Sequence, residues 1–387
     1  MIAGSFAAVA QEKVRIGYVI SKTGPNSGGA MTTQVPNYKL WIKELNDRGG
    51  LNVAGKRIAI ELIEHDDRSS SEEAVRATER LLTQDKVDLM LAPWGTAINL
   101  AVAPLYARSE RLLITPTAIT DRAPELAKRW PLSFWLSGTS ASYADALVEQ
   151  LKRLREAGKI DAGVAMVSVG DGFGIDLAAG FRAAAKKNGF EIKFDKTYPA
   201  GTQDFAPIVN EMKAKDVKVF VAFSYPPDTI ALTEEAQLLD YNPSVFYIGI
   251  GGAFPLYRNR FGSAVEGVMT LGGIDPKSDD AKSYIARHKE VTGQEPDRSG
   301  SFTMYAALQA LEQVIAEVGL DQKRIATRLK EGTFKTILGE VSFAGQQMTN
   351  APKVGQWQNG ELAGLAHDGN SGATEMVFPK PVWRKSN

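Results

Sequence analysis

Small polar and aromatic residues follow a buried apolar run of this 387-residue sequence, and their types suit the binding of an anion. Trp94, Gly95 and Thr96 come directly after residues 87–91, and the stretch that follows them, 97–107, is predicted to be a helix. A helix N-terminus offers free backbone N–H groups and the positive end of the helix dipole. Amide and hydroxyl donors at this point predict contacts to a carboxylate.

Four other predicted strands end in comparable residues. Singly, each of these strand ends could be ordinary loop chemistry. Ligands of open α/β sheets bind outside the carboxyl ends of the strands, so together these residues would line one cleft from both sides. The predicted ligand-binding residues are Trp94, Gly95, Thr96, Thr117, Ile119, Phe173, Tyr225 and Gly251.

Three motifs resemble catalytic or metal sites, and each lacks a residue that the chemistry needs. A dinucleotide loop starting at Gly170 and Gly172 would need its third glycine at position 175, where Ile175 stands. His65 and its neighbours 66–67 point in different directions from a strand end, without a second histidine at a useful spacing. Residues 138–142 lack the last glycine of a nucleophile elbow. We therefore predict no enzyme activity, no cofactor and no metal.

Composition excludes further classes. Forty-five Lys and Arg residues balance 45 Asp and Glu residues, so the sequence lacks the basic excess that phosphate-backbone binding needs, and nucleic acid is not an expected partner. The sequence has no cysteine, which excludes disulfides and thiolate chemistry. An apolar content of 44% argues for a folded chain with ample core.

The N-terminus resembles the end of an export signal. Residues 1–10 are small and apolar, and Ala8, Val9 and Ala10 fit the small-x-small pattern that precedes signal-peptidase cleavage, although a charged n-region is missing. An alanine-rich terminus of no function is the alternative. We expect residues 1–12 to be a signal-peptide remnant and the protein to be exported.

Short β-branched runs alternate with helical stretches along most of the chain. The predicted strands are 14–20, 58–63, 87–91, 112–115, 163–169, 217–223 and 245–250, each apolar at consecutive positions as in parallel strands covered on both faces. A hairpin is predicted around Asn359 and Gly360. The alternation falls into two halves, which predicts an α/β fold of two doubly wound, Rossmann-like lobes.

An ordered series of short motifs resembles the branched-chain amino-acid-binding type of periplasmic solute-binding protein, which serves ABC importers. Its members have the type I periplasmic-binding-protein fold. The motifs are Ile42–Gly50 with the following Leu51–Lys56, Asp66–Asp67, Thr115–Ala118, Gln203–Phe205 and Tyr305–Leu308. The resemblance covers nearly all of residues 13–365.

The resemblance implies a non-enzymatic, periplasmic protein, expected to be a monomer, whose two lobes close over a solute and then dock on a membrane permease. Three crossovers forming a three-stranded hinge would lie near Gly138, Gly272 and Lys353. The first lobe would comprise 13–138 and 273–353, and the second 139–272 and 354–387. A sensing domain of the same fold and, last, a nicotinamide-dependent dehydrogenase are the other classes.

The resemblance also implies how a solute would be held. In amino-acid-binding members the first-lobe loops matching Gly95, Thr96, Thr117 and Ile119 hold the carboxylate, whereas the ammonium partners match Ile119 and Gly251. Neither of these two residues can pair with a buried ammonium, which is costly to leave unpaired. We therefore expect a carboxylate without an α-amino group, favouring aromatic acids. Aliphatic or keto acids and branched-chain amino acids or amides remain alternatives.

Overall fold

The computed structural model of the protein describes residues 13–365 and 374–383. The predicted signal-peptide remnant, residues 1–12, lies outside the described residues. None of the helices in the described part of the chain has the length and apolar character needed to span a bilayer.

The strands alternate with helices in the described chain. Numbered in chain order, the strands are β1 (Lys13–Ile20), β2 (Leu51–Val53), β3 (Lys56–Asp66), β4 (Leu89–Leu91), β5 (Leu113–Thr115), β6 (Ser133–Trp135), β7 (Gly163–Val169), β8 (Glu191–Tyr198), β9 (Val219–Phe223), β10 (Val245–Ile248), β11 (Met269–Thr270), β12 (Thr333–Thr336), β13 (Gly339–Ser342), β14 (Gly355–Gln358) and β15 (Glu361–Gly364).

The helices complete the βαβ alternation that the sequence predicts. They are α1 (Ser27–Thr33), α2 (Val35–Asp47), α3 (Ser71–Thr83), α4 (Thr96–Arg108), α5 (Ala123–Arg129), α6 (Ser140–Glu156), α7 (Gly172–Lys187), α8 (Ala206–Lys213), α9 (Pro226–Leu238), α10 (Pro255–Phe261), α11 (Asp279–Thr292), α12 (Gly300–Val318) and α13 (Gln322–Glu331).

Two separate sheets form the centres of two lobes. The first lobe contains the order β2-β3-β1-β4, with the pair β5-β6 beside it, and the second contains β15-β14-β11-β10-β9-β7-β8. In the first sheet β1 pairs in parallel with β3 and β4, and in the second β9 pairs in parallel with β7 and β10. Parallel pairing places the carboxyl ends of these strands at one edge of each sheet.

Burial explains why these runs form strands. All seven residues of β7 and all five of β9 are buried, because helices cover both faces of the second sheet. Helices α11 to α13 return to the first lobe, where Phe302 and Leu311 of α12 pack into the same core as Trp41 of α2. The chain therefore crosses between the lobes more than once.

The predicted elements agree with the structure, with small differences. The predicted strand 163–169 is observed at the same residues, and the hairpin at Asn359 and Gly360 joins β14 to β15. Several features were not predicted, among them the strand β8, the hairpin β12-β13, the antiparallel pairing of β2 with β3, and the pairing of β5 with β6 outside the first sheet. The predicted crossovers fall between the two cores, whereas the lobe boundaries themselves stay a prediction.

Candidate ligand-binding site

A cleft that is partly open to solvent lies between the two lobes and is lined by residues of both. It lies beyond the carboxyl ends of β4, β5 and β10, as the sequence analysis predicts. The first lobe, which includes α1 and α12, contributes Thr33, Trp94, Pro116, Thr117, Ile119, Ser137, Asp297, Ser299, Gly300 and Thr303. The second lobe contributes Tyr143, Ile250, Gly251, Ala253, Phe254 and Leu271.

Thr117 brings a hydroxyl to the cleft lining beside the N-terminus of α4. Gly95 precedes the helix with φ 87°, a left-handed backbone that favours glycine, and its N–H donates to Thr117 Oγ1 at 3.2 Å. Because Thr117 accepts this bond, its own hydroxyl proton is free to be donated. The first-turn amides of α4 also lack helical partners. Gly95, a predicted ligand residue, does not line the cleft and instead donates to Thr117; we call Thr117, with the Gly95 N–H that it accepts, the donor wall.

Thr96, a predicted ligand residue, has a different role in the structure. Its buried hydroxyl accepts the N–H of Ile119 at 3.1 Å and lies 3.3 Å from the carbonyl oxygen of the same residue. This pair of contacts fastens the loop after β5 to α4. The Thr96 side chain does not line the cleft, so its contribution is to position Ile119 and Thr117.

Ile119 and Gly251 both line the cleft, and neither brings a charge or a hydroxyl to it. Gly251 has φ 104°, and a Cβ atom added there would lie 2.6 Å from Pro226 Cα. Close approach of α9 therefore requires glycine at this position. The packing of the second lobe therefore leaves no room for an acidic side chain at position 251.

Three aromatic rings form a ladder across the lobes. Trp94 of the first lobe lies 5.8 Å from Tyr225 of the second, and Tyr225 stacks on Phe173 at 5.0 Å between ring centroids. Trp94 lines the cleft. Tyr225 and Phe173 do not line it. The structure therefore assigns these two predicted site residues to the support of Trp94.

Tyr225 is held in place by a carboxylate. Its hydroxyl donates to Asp171 Oδ2 at 2.8 Å, and Asp171 also caps α7 through the Gly174 N–H at 3.0 Å. Burial and the Asp171 carboxylate hold the pKa of Tyr225 well above its usual value, so the hydroxyl keeps its proton. The loop 170–174, which resembles a dinucleotide motif, thus serves as a helix cap that positions an aromatic ring.

A carboxylate that the sequence analysis missed, Asp297, lines the cleft just before α12. Its side chain is fully buried and accepts from the Ser299 N–H at 2.9 Å, from the Ser301 N–H at 3.2 Å and hydroxyl at 2.5 Å, and from the Thr33 hydroxyl at 2.9 Å. The predicted ligand-binding residues include no acidic side chain, and the structure adds this one to the cleft lining. Asp297 precedes a helix, and the sequence pattern predicts only a cap there.

The remaining lining residues make the cleft largely apolar. Phe254, Ile250 and Leu271 cover the second-lobe side, and Tyr143 lies among them. Burial raises the pKa of Tyr143 to about 12, although a hydrogen bond from Ser137 lowers it in part. Among the described residues, the cleft lining includes no Lys, Arg or His side chain.

His65, considered above as a metal ligand, forms a different contact. Its Nε2 lies 2.7 Å from Asp85 Oδ2, while Asp66 accepts the backbone N–H groups of Lys22 and Arg68 at 2.9 Å. Within residues 13–365 and 374–383, no three His, Asp or Glu side chains come together as a metal site. Asp66 organises loops at the end of β3.

Direct contacts hold the two lobes together around the cleft. The Thr120 hydroxyl of the first lobe donates to Asp176 Oδ2 on α7 at 2.9 Å, and α4 packs near α7. Together with the contact between Trp94 and Tyr225, this bond closes one side of the cleft. These contacts join the two lobes beside the cleft.

Comparison with known proteins matches the whole described architecture. Residues 13–361 match the family model described as periplasmic binding protein. The chain is 25% identical over 368 residues to the Leu/Ile/Val-binding protein BraC3 of Rhizobium johnstonii, which covers 92% of this chain and 95% of that protein.

Solved structures share the fold. The branched-chain amino acid transporter substrate-binding protein LivJ of Streptococcus pneumoniae, in complex with isoleucine, has a TM-score of 0.77 at 20% identity, covering 95% of this chain and 100% of that one. An ABC-transporter solute-binding protein of R. palustris, in complex with benzoate, has a TM-score of 0.78 at 15% identity, covering 96% and 97%. Both have the α/β fold described above.

Proposed function

The chain belongs to the periplasmic binding protein family, and from this premise we propose that it binds a small organic acid outside the cytoplasm and delivers it to an ABC permease. The favoured solute is an aromatic carboxylate without an α-amino group. In this proposal the protein is an exported monomer, and the solute stabilises the closed form because only that form contacts it from both lobes. No catalytic step is part of the role.

The donor wall is the observation that carries this proposal. Thr117 lines the cleft and accepts from the Gly95 N–H, so its own hydroxyl proton stays available for a solute oxygen. Hydrogen bonds to an ionised acceptor are worth about 1.5–3 kcal/mol each. A carboxylate can therefore be held there without a Lys or Arg side chain.

The shape of the rest of the cleft favours a flat apolar body. Trp94 and Phe254 offer aromatic surfaces, while Ile119, Ile250 and Leu271 supply aliphatic contacts. Burying an aromatic ring among such groups is favourable both by area and by ring stacking. A solute with a carboxylate at one end and a ring behind it would match both features.

Asp297 favours a second candidate, an amino acid whose ammonium would pair with this carboxylate. Relatives are associated with both kinds of solute. BraC3 is named for leucine, isoleucine and valine, and the LivJ structure contains isoleucine. The structure of the R. palustris protein contains benzoate. The Asp297 oxygens, however, already accept from Thr33, Ser299 and Ser301. An ammonium would have to displace one of these donors, so we rank amino acids second.

A solute panel tests the proposal. Purified protein, stripped of any bound solute by unfolding and refolding, is measured by thermal shift and calorimetry with benzoate, 4-hydroxybenzoate, coumarate and leucine. A ligand present at 100 times its Kd stabilises the folded state by about 2.7 kcal/mol. We expect a shift of several degrees with the aromatic acids. A shift with leucine alone would sink the aromatic proposal and leave the amino-acid candidate.

A further inference from the structure

We propose that a second polar wall of the cleft, formed by Thr33, Asp297 and Thr303, selects solutes that carry a neutral hydrogen-bond donor, such as a phenolic hydroxyl, away from their carboxylate. We call these three residues the acceptor wall. The inference rests on the proposed function, because it specifies which aromatic acids the same cleft prefers.

Thr33 on α1 can only accept from a solute. Its hydroxyl donates its single proton to Asp297 Oδ2 at 2.9 Å, and the side chain is buried with 3% exposure. The lone pairs of Thr33 Oγ1 are what remains for the cleft. This is the reverse of Thr117 in the donor wall, which accepts from Gly95 and keeps its proton.

The Asp297 carboxylate makes the acceptor wall negatively charged. The carboxylate takes hydrogen bonds from Ser299, Ser301 and Thr33, so these protons are used by Asp297 and are not offered to a solute. A solute carboxylate beside it would meet like charge and lone pairs. The solute's anionic end is therefore directed to the donor wall, and a donor group is what the acceptor wall can hold.

Thr303 is the independent observation that points to a ligand. Its side chain is 5% exposed and lines the cleft, and its hydroxyl makes no hydrogen bond with any residue that the structure describes. The hydroxyl oxygen keeps some exposure to the cleft, so its hydrogen-bonding capacity is open to a solute. A solute hydroxyl placed at the acceptor wall would be its partner.

A neutral donor suits this wall better than a cation. Asp297 already has donors on both oxygens, so the positions left open are the hydroxyl oxygens of Thr33 and Thr303. A neutral hydroxyl is satisfied by one or two such oxygens, whereas an ammonium needs three acceptors and the loss of a full hydration shell. A solute with a carboxylate and a separate hydroxyl would offer each wall the group that it can bind.

The test compares three ligands that differ only at the ring position opposite the carboxylate. Calorimetry measures benzoate, 4-hydroxybenzoate and 4-methoxybenzoate, the last of which keeps the oxygen but cannot donate. We expect 4-hydroxybenzoate to bind about tenfold more tightly than either of the others, the size of one net hydrogen bond.

Thr303→Val assigns the preference to this wall, because it keeps the side-chain shape and removes the hydroxyl. We expect the variant to reduce the preference for 4-hydroxybenzoate over benzoate to less than about threefold. Thr83→Val, an exposed position on α3, is the matched control and should keep the full preference. Asp297→Asn is a weaker test, since Asp297 also starts α12 and the variant could fail to fold.

Each outcome separates this inference from the proposed function. Equal binding of benzoate and 4-hydroxybenzoate would overturn the acceptor wall and leave the proposed function standing. Tighter binding of 4-(aminomethyl)benzoate than of 4-hydroxybenzoate would also overturn it, in favour of a cation site at Asp297. If none of these aromatic acids binds, the proposed function fails, and with it the inference.

Discussion

Thr117 and Thr33 have the same side chain, yet they present opposite hydrogen-bonding characters to the cleft. Thr117 accepts the Gly95 N–H and is left as a donor, whereas Thr33 donates to Asp297 and is left as an acceptor. A hydroxyl has one proton, so a single fixed neighbour decides what it can do for a solute. Specificity at this scale depends on the neighbours of the lining residues as much as on their types.

At the residue scale, Thr117→Val should weaken carboxylate binding. The variant removes the donor aimed at the solute and leaves the Gly95 N–H without its acceptor. We expect Kd for 4-hydroxybenzoate to rise about tenfold or more, since one charge-assisted hydrogen bond is lost. Thr117→Ser keeps the hydroxyl and should bind nearly as well as the wild type. Calorimetry with both variants checks this, and an unchanged Kd in Thr117→Val would contradict the donor wall.

At the element scale, α1 supports the ring that lines the cleft. The Trp94 indole packs so closely on this helix that a Cβ atom added at Gly29 would lie 2.1 Å from Trp94 Cζ2. The neighbouring Gly28 has no atom within 4 Å of the same position. Two adjacent glycines of one helix thus have different constraints, because only one faces the tryptophan.

We expect Gly29→Ala to displace the Trp94 ring, change its fluorescence and lower the affinity for aromatic acids by about tenfold or more, because the rigid indole must move. Gly28→Ala is the matched control. It brings the same gain in helix propensity, about 1 kcal/mol, without the clash and should keep wild-type affinity and emission. Equal behaviour of the two variants in fluorescence and calorimetry would refute this account of α1.

At the scale of the whole molecule, closure depends on contacts that no solute makes. The Thr120 hydroxyl donates to Asp176 across the lobes, and Trp94 meets Tyr225 beside it. In the proposed role, binding requires closure, so such contacts would stabilise the closed form directly and raise the affinity for every solute by the same factor. Variants that remove the contact between Thr120 and Asp176 should therefore weaken the binding of all solutes equally, whereas variants of the cleft walls should change the preference among solutes.

Asp176→Ala should weaken binding of all solutes by one common factor, about two- to tenfold for a single hydrogen bond. It should also increase the radius of gyration measured by small-angle scattering without solute, because the open form gains population. Asp176→Asn retains an acceptor oxygen for Thr120 and serves as the control. A loss confined to one solute would show that Asp176 acts on the ligand instead of on closure.

Much of the fold could be predicted from the sequence, because it depends on local patterns. Consecutive apolar residues predicted β7 at 163–169, and Asn359 with Gly360 predicted the hairpin between β14 and β15. The rule that ligands bind at strand ends led to Trp94, Thr117, Ile119 and Gly251, all of which line the cleft. Each of these patterns spans a few residues, which is the range over which backbone geometry and hydrophobic period act.

Only the tertiary structure decided which strand-end residues face the cleft and which side chains join them. Phe173, Tyr225 and Thr96 fulfil the same sequence criterion but turn to support neighbours. Thr33 and Asp297 meet although they are 264 residues apart along the chain. Sequence periodicity predicts which face of an element is buried, whereas contacts between distant elements and the direction of each hydroxyl proton are set by how those elements pack.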